Sequence, residues 1–331
     1  MGEMQQGLPA QYQAWVWREG HDVESLTQVS LAVSPLADDE VLVANKVIGL
    51  NPVDWKVLGH LPWEPGHVPG VDGAGIVVAA GKQVSPAWVG KRVVWHQSLL
   101  RHGSYAQFTP VQSRALMAIP DNLSFETAAS FPCPGLTAWQ AVSKLPLQAG
   151  QHLLIGGAGG AVGQYLVQLA VRAGWRVTAL AHPRHHERLS DLGALRCFPN
   201  LRGEEAILPA WLSRQFHGVI DAVSEQHAAK LVPALRANGH ILCIQGRLPG
   251  WPLPAFGMAI SMHEVALGAL HTWGDDDDWQ ALTSAGEAML SDLSQGRLRA
   301  EETVIRPFGE LPDLLGALKA RAFSGKPLVR V

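Results

Sequence analysis

Residues 152–174 read HLLIGGAGGAVGQYLVQLAVRAG. A short β-type run, His152–Ile155, enters a glycine cluster, and an apolar stretch of helical period follows over Ala161–Ala173. The spacing Ala158-x-Gly160-x-x-Gly163 is the dinucleotide fingerprint with alanine in its first slot, and Gly157, Gly160 and Gly163 recur at every third position. Each small residue answers a physical need. The turn is tight, the main chain must approach a pyrophosphate with no Cβ between them, and the helix must start close against the strand. The backbone around Gly159, Gly160, Ala161, Val162 and Gly163 lies at the positive end of the helix dipole and is expected to hold phosphate oxygens.

Strand and helix patterns alternate on either side of this motif. Strands are expected at Arg176–Ala181, Leu195–Phe198, Gly218–Val223, His240–Gln245 and Glu264–Leu270, with helices near Ala161–Ala173, Pro183–Leu192, Glu204–Ser213 and Gln226–Leu235. The runs GVIDAV and HILCIQ are continuously apolar, the pattern of a parallel sheet covered on both faces. The fold class is therefore α/β, with a Rossmann-type doubly wound parallel sheet over 123–270. At the end of the second strand, where NAD sites place a carboxylate on the ribose hydroxyls, the chain reads ALAHPRHHER. No acid precedes Glu187, and His182, Arg184 and His185 crowd the position, which favours NADP(H) over NAD(H). Arg184 is the first choice for the 2′-phosphate because guanidinium forks onto phosphate oxygens; Arg188 reads as part of a basic helix face.

Before residue 123 the pattern differs. Short β-type runs at Val41–Val47, Gly75–Val78, Arg92–Trp95 and Tyr105–Thr109 alternate with Gly/Pro turns, as in a compact β-rich domain. The tail from His271 holds two helical patterns, near Asp277–Gln295 and Leu311–Ala320, and ends in the strand-like GKPLVRV.

The chain has 331 residues, 47% hydrophobic and 17% charged, with a formal charge of −3, so it can bury a large core and shows no basic footprint for nucleic acid. No apolar run reaches the ~20 residues of a membrane span. Met1–Ala10 lacks a basic-then-apolar signal pattern, and a cytoplasmic location with no membrane partner is expected. Cys133, Cys197 and Cys243 are too scattered for a disulfide framework or a cysteine-rich zinc site. His60, His67, His96 and His102 have neither i, i+4 spacing nor a patterned carboxylate, and Asp275–Asp278 reads as a helix start, so no metal site is expected.

The segments VIGLNPVDWKV, VPGVDGAGIV, GKRVVW, GSYAQF, AASFPCPGLTAW, GGAGGAVGQYLVQLA, GVIDAVS and FSGKPLVRV stand in one order along nearly the whole chain. In them the chain resembles the medium-chain dehydrogenase/reductase superfamily, and within it the zinc-independent quinone oxidoreductase, or zeta-crystallin-like, branch. The resemblance implies a GroES-like catalytic domain over 1–122, completed by 271–331, with the NADP(H) domain inserted and the cofactor in the interdomain cleft. It implies that Asn51 lines the nicotinamide and substrate pocket, and that Thr137, Ala222, Gln245, Gly246 and Lys326 border the cofactor. It also implies a homodimer, through a strand around Val265–Leu270. Both zinc sites of the metal-dependent relatives need cysteines that Met1–Pro132 does not contain.

The chain departs from the branch at two tyrosines. None lies in Gly59–Pro69, and Asn200 stands where another would border the nucleotide. The proton donor is then solvent or a loop histidine, His60 or His67. Asp54 and Lys56 read as a local pair, and Trp55, Trp63 and Trp95 as packing or as an aromatic wall for a planar substrate. The expected activity is NADPH-dependent reduction of a small planar quinone or enone. A non-catalytic NADPH-binding protein and a zinc-type alcohol dehydrogenase are the competing readings.

Overall fold

A computed structural model describes residues 8–203 and 205–331, which form two compact units. One is Pro134–Leu267; the other joins the described residues up to Cys133 with Gly268–Val331.

The Pro134–Leu267 unit is built on six strands that pair in parallel throughout. Across the sheet they run Arg196–Phe198, Arg176–Leu180, His152–Gly156, Phe216–Asp221, Leu235–Cys243, Ser261–Glu264. In chain order this is 3-2-1-4-5-6, the Rossmann arrangement, with its topological switch between the first and fourth strands. Leu153, Leu154, Ile155, Val219, Ile220, Ile241 and Leu242 are fully buried, which explains why these strands show no polar alternation.

Two expected elements differ. The helix read at Glu204–Ser213 is a turn followed by a single 3₁₀ turn, Ala210–Leu212, because Pro209 cannot donate to a helix through that point; Glu204 itself lies outside the described residues. The strand read at Glu264–Leu270 is Ser261–Glu264 instead. Its partner strand ends at Cys243, the Val265 amide makes the last bond to the Cys243 carbonyl, and the chain turns into the helix Ala269–Trp273.

The other unit is a GroES-like β domain. A seven-stranded sheet runs Thr303–Pro307, Lys326–Arg330, Glu40–Gly49, Asp72–Ala80, Arg92–His96, Met117–Ala118, with Phe108–Gln112 on the first half of Glu40–Gly49. A separate hairpin, Gln11–Trp17 with Leu26–Ala32, covers it and shares a core of Ile48, Leu50, Leu58, Tyr105, Leu311 and Leu315. The run Tyr105–Thr109 joins the ladder only from Phe108, because Ala106 makes an isolated bridge to Ala14 of the hairpin. The acidic run is a cap: the Asp275 carboxylate accepts from the Asp278 amide at 2.9 Å and opens the helix Asp276–Ser294. Among the described residues no helix is long and apolar enough to cross a membrane.

Candidate functional site

The glycine loop joins His152–Gly156 to the helix Ala161–Arg172, whose N-cap is Gly160. Gly157 turns the chain at φ +74°, a conformation that costs glycine nothing. A Cβ on Gly163 would come within 2.5 Å of the Ala158 backbone, so glycine is what lets helix meet loop. Gly160 is roomy by contrast: a Cβ there would meet only the Gly157 carbonyl oxygen, at 3.7 Å. No side chain caps this helix, so the first-turn amides of Ala161, Val162 and Gly163 point at an open end. Such a cradle fits a pyrophosphate.

Beside it lies a basic cluster at the end of Arg176–Leu180. His182 Nδ1 accepts from the Arg184 amide at 3.2 Å, and Arg184 Nε donates to His185 Nε2 at 3.1 Å. The His185 ring lies against Gly159, where a Cβ would meet its Cδ2 at 2.5 Å. Burial, then Arg188 and Arg184, push His185 down to about 4, so the ring is neutral. Arg188, read from the sequence as a helix-face cation, turns back to the loop: Nη2 donates to the Gly159 carbonyl at 3.2 Å and lies 3.3 Å from His185 Nδ1. The donor chemistry suits a phosphate monoester next to the cradle.

Asn200, Ala222, Gln245 and Gly246 follow the carboxyl ends of the third, fourth and fifth parallel strands. Asn200 Oδ1 accepts from the Gly157 amide at 3.2 Å, so Asn200 fixes the loop from the third strand's end. The Ala222 amide donates to the Gly156 carbonyl at 3.1 Å, and Gly246 follows the fifth strand at φ +90°, after Gln245. Thr137 opens the helix Thr137–Lys144 after a π-type turn at Pro132–Leu136. Sequence reading missed the fully buried Asp221. Its Oδ2 accepts from the Val223 and Ser224 amides at 3.1 and 3.0 Å, and Oδ1 pairs with His227 Nδ1. This folds the turn after the fourth strand, and a Cβ on Gly156 would strike the carboxylate at 2.5 Å.

In the other unit Asn51 is the N-cap of the helix Pro52–Lys56 and only 2% exposed. Its Nδ2 donates to Asp72 Oδ2 at 2.8 Å, and its Oδ1 accepts from Lys326 Nζ, which also lies 3.7 Å from Asp72. Asp72 further accepts from the Cys133 amide at 3.0 Å. Asp54 turns inward rather than toward Lys56: its oxygens accept from the Asn51 and Val71 amides at 2.7 and 3.3 Å. Burial raises Asp54 to about 7 and Asp72 to about 6, the latter opposed chiefly by Lys326. Desolvation followed by Asp72 likewise pushes the Cys133 thiol up. Asn51 and Lys326 thus meet each other in one buried network, and the carboxamide is committed at both ends.

His60 and His67 part company. His60 is exposed, its ring 5.0 Å from His21. His67 is buried, stacked on Trp63 at 4.3 Å and on His102 at 5.2 Å, and burial with His102 pushes it down to about 4. A neutral imidazole offers no imidazolium proton near neutrality, which argues against His67 as the acid. The three tryptophans do not form one wall: Trp63 packs edge-on to Trp17, Trp95 is buried against Gly73, and Trp55 lies between Lys56 and Lys319. Among the described residues no three His, Cys, Asp or Glu side chains converge as a metal-ligand set.

Residues 37–121 match the alcohol dehydrogenase GroES-like domain. A 2-methylene-furan-3-one reductase of Solanum lycopersicum is 30% identical over 259 residues, 74% of this chain and 65% of that one. The chain therefore spans just under two thirds of that relative. A chloroplastic quinone-oxidoreductase homolog of Spinacia oleracea is 30% identical over 234 residues, 67% of this chain and 71% of its own. The chain belongs to the medium-chain dehydrogenase/reductase superfamily, in its quinone oxidoreductase branch. Among solved structures, an alcohol dehydrogenase superfamily protein from Novosphingobium aromaticivorans superposes with a TM-score of 0.84 at 26% identity, covering 97% of this chain and 99% of that one. The residues that sequence reading missed are buried carboxylates, Asp72 and Asp221. Their signal was present as isolated acids inside apolar strand ends, VPGVDGAG and GVIDAV, where a charge persists only with partners.

Proposed function

We propose that this reductase takes NADPH and carries out two-electron reduction of a small planar quinone or α,β-unsaturated carbonyl, without zinc. The observation that carries the reading is the uncapped glycine-loop helix with Arg184, Arg188 and His185 beside it and no acid between Leu180 and Glu187. NADPH supplies the hydride when bound. The chain's own work is to hold the pyrophosphate on the Ala161–Gly163 amides and the 2′-phosphate on Arg184 and Arg188. Thr137, Ala222, Gln245 and Gly246 border the nucleotide in this reading. With no ion to polarise a carbonyl, activated acceptors suit the enzyme best. Solvent or the exposed His60 supplies the proton. The buried Asn51–Lys326–Asp72 network keeps the polar floor of the catalytic domain in place.

We read the assembly as a homodimer and the location as cytoplasmic. The dimer is supported by the open edge strand Ser261–Glu264 and by the exposed Trp251 and Phe256 just before it. The location rests on three unbridged cysteines. The deciding assay mixes purified protein with NADPH and a panel of quinones and enones and follows loss of the nicotinamide absorbance. Turnover with a metal chelator present supports the reading. Tight NADPH binding without turnover on any acceptor overturns it in favour of a binding protein.

A further inference from the structure

A surface cleft of about 490 Å³ opens in the β-rich unit, away from the Asn51 network. It falls within the ~300–1,000 Å³ of small-molecule sites. Its walls come from three places in the chain: Trp15 of the first strand, Val23, Glu24 and Leu26 at the hairpin turn, and Gly309, Pro312, Asp313 and Gly316 around the helix Leu311–Lys319. The cleft exists because two of its lining positions have no side chain. A Cβ on Gly309 would meet nothing within 4 Å, and one on Gly316 would meet only Val23, at 3.5 Å.

The charges around it are unequal. Asp22 is paired with Lys319, and Glu310 with Arg306 at 3.6 Å, so these neighbours cancel. The carboxylates of Glu24 and Asp313 make no hydrogen bond or ion pair among the described residues. Trp15 donates its indole Nε1–H to the Phe308 carbonyl at 3.0 Å, which fixes the ring and spends its polar edge, leaving apolar ring surface in the cleft. Val23, Leu26 and Pro312 add apolar surface beside it.

We infer that this cleft binds a small organic ammonium ion, its apolar body against Trp15, Val23 and Leu26 and its charge toward Glu24 and Asp313. An aromatic ring and two carboxylates attract such a cation by the quadrupole and by charge, and both reject anions. Asp313 also stands in the first turn of its helix, where an acid is favoured by the dipole alone, so the test must separate a ligand site from a helix-stabilising acid.

The probes are 2-phenylethylammonium, the neutral 2-phenylethanol and the anion 3-phenylpropionate, added to the full chain. The readout is the indole N–H resonance of Trp15, assigned by its loss in Trp15→Phe. The ammonium should shift that resonance saturably, the alcohol at least about tenfold more weakly, and the anion not at all. Glu24→Gln with Asp313→Asn should weaken the ammonium by about tenfold and leave NADPH oxidation unchanged. Equal response to alcohol and ammonium, absence of any saturable shift, or undiminished binding to the double variant would overturn the inference.

Discussion

Lys326 and Asn51, 275 positions apart in sequence, meet in one buried hydrogen bond, and Asp72 takes the other end of the same carboxamide. Removing the ammonium strands a buried carboxylate. Lys326→Met should therefore cost about 3–5 kcal/mol. Asn51→Ala should cost less, about 1–3 kcal/mol, because Lys326 and Asp72 can still approach each other. Adding Asp72→Asn to Lys326→Met should recover stability. Denaturant unfolding of the four proteins checks the order, and a Lys326→Met chain as stable as the parent would show that the network is not compensated as described.

The basic cluster predicts a cofactor preference. Arg184→Ala and Arg188→Ala should each raise the NADPH dissociation constant about tenfold to a hundredfold, from the loss of a charge-assisted hydrogen bond of ~1.5–3 kcal/mol. NADH affinity should barely move. Titration calorimetry with both nucleotides decides it, and parallel weakening of the two would take the arginines out of the phosphate site.

Two glycines in the loop should fail differently. At Gly163 the obstacle is the Ala158 backbone at 2.5 Å, which cannot step aside, so Gly163→Ala should lower the melting temperature as well as abolish nucleotide binding. At Gly159 the obstacle is the His185 ring at 2.5 Å, which can rotate. Gly159→Ala should keep stability within ~1 kcal/mol of the parent while weakening NADPH, because it displaces a side chain of the basic cluster. Differential scanning calorimetry with and without NADPH reads both effects.

The buried titratable groups of the β-rich unit set opposing pH slopes. His67 and His271 are pushed to about 4 by burial first, and His96 well below its ordinary range. The unfolded chain binds protons at these sites below ~6.5, so stability is lost as pH falls from there toward 4. Asp54 and Asp72 are raised to about 7 and about 6, so the native state holds their protons longer and stability is gained over the same descent. His102 is also held down by burial, so four histidines of this unit oppose the two carboxylates and the balance is a loss of stability as pH falls toward 5. His67→Phe with His271→Phe should remove part of that loss, so the melting temperature should fall less between pH 7 and pH 5 than the parent's.

The nucleotide unit was legible because its decisive signals are local. Gly157 through Gly163 and the apolar runs around Val219 and Ile241 state their conformation within a few residues. Signals failed where long-range context decides. The strand beginning at Glu264 was misplaced because its extent is set by Cys243 on a neighbouring strand, and the helix at Glu204–Ser213 was drawn through Pro209. The reaction side was harder to read. Asn51 and Lys326 were each expected near the cofactor, and their mutual bond depends on a chain closure that no spacing records. His67 stood with His60 and solvent as a candidate proton donor, and its stack on Trp63 and His102 is again a long-range contact.

The strand Lys326–Arg330 lies inside its sheet, between Thr303–Pro307 and Glu40–Gly49. On the ribosome the nucleotide unit, whose strands all lie between His152 and Glu264, has everything it needs well before the β-rich unit does. The amino-terminal half must wait, its sheet open along Val47–Gly49, until Lys326–Arg330 emerges. A ribosome stalled ahead of Lys326 would therefore release a chain with one finished half and one adhesive β-edge, a ready substrate for chaperones and proteases.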